Sequence, residues 1–177
     1  MRAALVTTVL AAAVLVAAGS GGTASAAGGV GPGQIARAVR KAEQSSSLWA
    51  TVNICSSHRY RNDIGVRGQM PSLGFSSKLF MVVQVNYWSS KQQRFLPIQS
   101  NLATTRLALG SSQNGLQQDG AVFPFRSHAG LLNATFTFIW TRGGTLIGQT
   151  VRTTTAGHAD ADHGSPPHYS AAQCRIK

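Results

Sequence analysis

The chain has 177 residues, with 16 Lys and Arg against 5 Asp and Glu, for a formal net charge of +11. With 43% hydrophobic and only 12% charged residues it falls outside the disordered class, which needs low hydrophobicity and dense charge. Its 19 glycines follow no period of three, which excludes collagen-like chains, and the length suits one processed domain around one core.

Residues 1–26 read as a signal peptide. Arg2 gives a positive start, Ala3 to Ala18 is apolar apart from Thr7 and Thr8, and Ala24-Ser25-Ala26 forms an A-x-A cleavage site before Ala27. The apolar run is short and alanine-heavy beside the roughly 20 residues of a spanning helix. No cysteine for a lipid anchor adjoins the site, and no twin-Arg pair opens the chain. The last residues, Cys174 to Lys177, form no apolar sorting signal, and no second hydrophobic span follows the first. The expectation is a secreted, extracellular protein without a transmembrane segment after processing.

Residues 27–47 form a Gly-rich leader and a short basic helix. Ile35, Ala38, Val39 and Ala42 fall at helical spacing over Gln34 to Ser47, with Arg37, Arg40 and Lys41 elsewhere. From residue 48 the period becomes two, and residues 48–177 read as one β domain. Leu48, Ala50, Val52 and Ile54 alternate with Trp49, Thr51 and Asn53; Ile64, Val66 and Met70 follow. Lys78 to Trp88 places Leu79, Met81, Val83, Val85 and Tyr87 on one face and Phe80, Val82, Gln84 and Asn86 on the other, the pattern of a central strand. Arg94 to Ile98 carries Pro97, which suits an edge. Thr104 to Leu109 and Ala121 to Phe125 are weaker strands.

Leu132 to Thr153 is the clearest hairpin. Leu132, Ala134, Phe136, Phe138 and Trp140 share a face, and Gly143-Gly144 supplies the two positive-φ positions of a type I′ turn. Counting back from that turn pairs Trp140 with Ile147 and Phe136 with Val151. A last strand, Tyr169 to Ile176, follows Pro166-Pro167. About seven to nine short strands with frequent turns make an antiparallel β-sandwich or barrel.

Cys55 and Cys174 are the only cysteines. In an exported chain two thiols allow one intramolecular bond. Free thiols or a metal pair are the alternatives, and no C-x-x-C spacing favours metal or redox chemistry. The bond would join the first strand region to the last.

The arrangement resembles the immunoglobulin-like or fibronectin-III-like sandwiches of secreted bacterial proteins. The residues that carry it are Thr51-Val52-Asn53-Ile54-Cys55, the Phe136 to Trp140 strand with its Gly-Gly hairpin, and Tyr169-Ser170-Ala171-Ala172-Gln173-Cys174. The Ala/Gly-rich leader is similar to that of actinobacterial proteins. The resemblance covers about Leu48 to Lys177 and is one of pattern. It departs from antibody domains, whose cysteines lie closer together and bracket a core Trp. It implies the architecture and no binding residue.

Catalytic motifs are missing: no G-x-S-x-G, S-x-x-K, H-E-x-x-H or phosphate loop occurs. The acids left after cleavage, Glu43, Asp63, Asp119, Asp160 and Asp162, form no evident catalytic pair. A non-enzymatic domain without a cofactor is expected. His158, Asp160, Asp162, His163 and His168 crowd eleven residues and can ligate zinc if the loop folds back, although the composition is ordinary for an exposed loop. That cluster leaves a small metal-dependent hydrolase as one alternative. Trp49 and Trp88 are candidate ligand-binding aromatics. Asn133-Ala134-Thr135 is a formal glycosylation sequon on the outer face of its strand. The leading expectation is a structural or binding role outside the membrane. The excess positive charge adds a second alternative, a binder of an anionic or glycan envelope polymer, or of another protein, with no specific nucleic acid.

Overall fold

In chain order the elements are α1 (Pro32–Glu43), β1 (Trp49–Cys55), β2 (Asp63–Pro71), β3 (Ser77–Ser89), β4 (Arg94–Pro97), β5 (Thr104–Ser112), β6 (Leu116–Pro124), β7 (Gly130–Arg142), β8 (Thr145–Thr153) and β9 (Cys174–Ile176). The computed structural model describes residues 29–125 and 129–177, so the expected signal peptide lies outside the described residues. No helix among the described residues is long and apolar enough to cross a membrane.

The two longest alternating runs become the centre of the larger sheet. β3 pairs with β7 from Lys78–Thr141 to Tyr87–Leu132. β5 and β4 follow one another along the other edge of β3, and β8 and β9 do so along β7. The smaller sheet has the order β1-β2-β6. All pairings between these strands are antiparallel, and the chain is an all-β sandwich with one short helix.

The inner faces are those that the alternation marks. Leu79, Met81, Val83 and Val85 of β3 and Phe136, Phe138 and Trp140 of β7 are wholly shielded from solvent. They meet Ala50, Val52, Ile64, Val66 and Met70 of the smaller sheet in one core. Burying each large side chain contributes about 1.5–3 kcal/mol. The Trp140 indole Nε1–H donates to the Pro71 carbonyl at 2.9 Å, so the largest core side chain leaves no polar group unpaired.

Two bulges break the simple alternation. In β1 the register shifts between Val52, which faces Val66, and Ile54, which faces Gly65. Asn53 is the extra residue. Ile54 therefore leaves the inner face expected of it and lies outside the main core cluster, although it is only 2% exposed. Cys55 takes the inner face instead, opposite Ile64. There it meets Cys174 of β9 in a disulfide with the Cα atoms 5.3 Å apart.

The second bulge corrects the hairpin register. Gly143 and Gly144 form the turn with φ of +57° and +81°, as expected. Beyond it, however, Trp140 faces Gly148 and Phe136 faces Arg152, not Ile147 and Val151. The register slips between Thr141 and Trp140, so counting from the turn fails after one step. Val151 consequently faces solvent. The slip serves α1. A Cβ on Gly148 would lie 2.6 Å from a Val39 methyl, so only glycine lets the helix sit against β8. Val39 and Ala42 are buried there, and Arg152 donates through Nη2 to the Glu43 carbonyl. The helix expected in the leader is thus part of the core.

The chain between β8 and β9 covers the other side of the smaller sheet. Backbone bonds run from Thr155 N to Ala50 O, from Ser165 N to Asn53 O, and both ways between Val52 and Ala171. These occupy the edge of β1 that would otherwise be open to strand addition. Trp49, Thr51 and Asn53, expected on an outer face, are buried beneath this segment.

Replacing both cysteines by serine is expected to cost about 2–5 kcal/mol, because the bond closes a sequence separation of 119 residues. The urea midpoint of Cys55→Ser with Cys174→Ser measures it. An unchanged midpoint would mean that the core alone holds these ends.

Candidate functional site

The histidine loop is part of the covering segment and does not assemble a metal centre. No three His, Cys, Asp or Glu among the described residues are placed to hold an ion. The imidazole of His158 stacks on Trp49, with ring centroids 4.6 Å apart and 13° between planes. Its Nε2 lies 3.0 Å from Thr155 Oγ1. His168 Nδ1 is 3.0 Å from the Ala159 carbonyl. Asp160 and Asp162 anchor the loop through their backbones: Gln118 Nε2 donates to Asp160 O, Asn53 Nδ2 donates to Asp162 O, and Asp162 N donates to Gln118 Oε1. His163 faces a different cavity, beside Tyr60 and Arg67. Spacing in the sequence put these five side chains together, but in the fold no three of them converge on one point.

Trp49 is likewise a packing residue, 6% exposed, and its ring lies under His158. The sequon is closed as well. Asn133 is 5% exposed, and its Oδ1 accepts from Asn86 Nδ2, which also reaches Thr135 Oγ1.

Trp88 behaves differently. It lies one residue before the end of β3 at 38% exposure, beside Tyr87 at 42%, and packs edge-on against Phe95 of β4. Tyr87 and Trp88 line a cleft of about 330 Å³ with Ile98, Phe125 and Leu132. Trp49 and Trp88 therefore share no groove. Sequence reasoning picked out Trp88 but not its partner Tyr87, since alternation assigns Tyr87 to the core. It is the last inward position of β3 and projects where the sandwich ends. The neighbouring turn is polar and cationic: Lys91, Gln92, Gln93 and Arg94 are all exposed, and Arg94 is tied to Gln92 Oε1 at 2.8 and 3.0 Å. A second, shallow groove beside the end of α1 is lined by Arg37, Arg40 and Lys41 and carries no aromatic ring.

The chain matches no protein-family model and no curated protein. Among solved structures, a candidate beta-galactosidase from Bacteroides fragilis aligns with 64% of this chain at 10% identity and a TM-score of 0.35. The chain spans 17% of that protein's length.

Burial holds the His158 imidazole below its ordinary pKa of 6.5, and Asp160 offsets part of that effect. A depressed histidine favours the neutral ring in the fold, so its contribution is complete above the unfolded pKa and is lost as pH falls through the folded one. Denaturation midpoints are expected to drop as pH is lowered past 6.5, and His158→Phe, which keeps a ring on Trp49, should flatten that part of the profile. An identical slope in the variant would assign the effect to other groups.

Proposed function

We propose that this chain acts outside the cytoplasm as a non-catalytic, immunoglobulin-like binding module, and that the Tyr87–Trp88 cleft holds an anionic glycan polymer of the cell envelope. The observation that carries this reading is the pair of adjacent exposed aromatics in a cleft, on a chain whose other two tryptophans are buried. Sugar rings present apolar C–H faces that pack on aromatic planes, and pockets of this kind take most of their affinity from such apolar contact. Lys91 and Arg94 lie exposed in the turn that follows Trp88, where acidic groups of the polymer would meet them. The Cys55–Cys174 bond fits an oxidising compartment, and the signal-like first segment fits export. The metal-dependent hydrolase reading loses its support, because the loop on which it rested does not gather a ligand set among the described residues.

Trp49 and Trp140 are buried, so changes in indole emission on ligand addition report chiefly on Trp88. Titration with polygalacturonate is expected to shift that emission, with dextran as the neutral comparison. Binding should weaken steeply with salt, since exposed charges are screened over about 8 Å at physiological ionic strength. Trp88→Ala should lower affinity about tenfold, or about 1.4 kcal/mol. Affinity that ignores both salt and Trp88→Ala would reject the reading.

A further inference from the structure

The covering segment leaves one polar cavity against the smaller sheet. It measures about 290 Å³ and is lined by Asn53, Tyr60, Arg67, Gly120 and His163, with apolar neighbours. Arg67 lies at mid-strand in β2, between Thr51 of β1 and Gly120 of β6. Its Nε is shut off from solvent and donates to no acceptor. An unsatisfied donor on a permanently charged guanidinium is costly, and native folds retain few of them unless an ion or water completes the site.

Cationic groups border the cavity, and the Asp119 carboxylate adjoins it, accepting from the Gly120 N–H. The turn before β2 reads His58-Arg59-Tyr60-Arg61, and the Arg59 guanidinium lies 5.5 Å from the centre of the Tyr60 ring that lines the cavity. His163 offers a ring N–H donor in either protonation state. Gly120 cannot carry a side chain here, because a Cβ would meet the Val66 carbonyl oxygen at 2.1 Å. Asn53 already donates its amide to Asp162 O, which holds the loop that carries His163 over the strand.

We propose that this cavity is an oxyanion site, in which Arg67 anchors a carboxylate or a phosphate and the His163 ring closes over it. The planar guanidinium suits both groups, since each presents paired oxygens to its N–H donors. The volume leaves room for more than a bare ion, so a larger molecule bearing the oxyanion also fits. This site is distinct from the aromatic cleft. Gly120 to Val122 line one and Phe125 lines the other, about 10 Å along β6 at 3.4 Å per residue.

The test follows the Arg67 Nε–H resonance by NMR while the full chain is titrated with inorganic phosphate, and separately with acetate, against sodium chloride at matched ionic strength. A saturable shift with either anion, absent with chloride, is the expected result. Phosphate alone assigns a phosphorylated ligand, and acetate alone a carboxylate. Arg67→Gln should weaken the binding seen by calorimetry at least about tenfold, and His163→Ala, at an exposed loop position, supplies a second variant that leaves the sheet intact. Trp88→Ala should leave this binding unchanged, which separates the site from the aromatic cleft. No saturable shift with either anion, or equal affinity in both site variants, would overturn the proposal.

Discussion

The Cys55–Cys174 bond exists because β1 carries one residue more than its partner. With unbroken alternation, Val52 inside would put Cys55 outside, facing away from the larger sheet. The bulge at Asn53 turns Cys55 inward, opposite Ile64, where β9 passes. The cost of an interrupted ladder is met locally, because Asn53 O accepts from Ser165 N and Asn53 Nδ2 donates to Asp162 O. One extra residue thus aims the cysteine and anchors the loop that the disulfide closes.

That loop determines much of the remaining architecture. It runs from the end of β8 to Cys174, pairs with the edge of β1 and buries Trp49 beneath His158. The outer face of the three-stranded sheet is covered along β1, while Leu116 and Val122 of β6 stay exposed. A similar economy operates at the other edge. The slip in β8 turns Gly148 and Arg152 inward, and α1 fills the layer there that the smaller sheet does not reach. In both places an apparent irregularity of the strand is what admits a covering element, in keeping with bulges being specified features of a fold.

Charge is distributed with the same selectivity. The arginines whose hydrogen bonds are resolved spend them on neutral oxygens: Arg94 on Gln92, Arg142 on Val30 O, and Arg152 on Thr150 and two carbonyls. The surface therefore keeps a positive potential that attracts anions over a Debye length. The aromatic cleft and the Arg67 cavity are separate, one lined by Phe125 just beyond β6 and the other by Gly120 to Val122 within it.

Local pattern was enough for the class of fold. Period-two runs marked Leu79 to Val85 and Phe136 to Trp140 as core, Pro97 marked an edge, Gly143-Gly144 marked a hairpin, and two cysteines marked a bond. Each of these follows from short-range chemistry: backbone pleat, ring closure, positive φ and thiol count. The same pattern failed where long-range packing chose between equivalent options. It paired Trp140 with Ile147, read Trp49 as exposed and gathered five loop side chains into a metal set, because alternation says nothing about where a residue will be inserted or which segment will fold over a face. The Arg67 cavity had no sequence signal at all. Arg67 reads as one solvent-facing residue of an alternating strand, whereas in the fold its Nε is shut away from water beside a cavity lined by Tyr60 of the preceding turn and His163 of the returning segment.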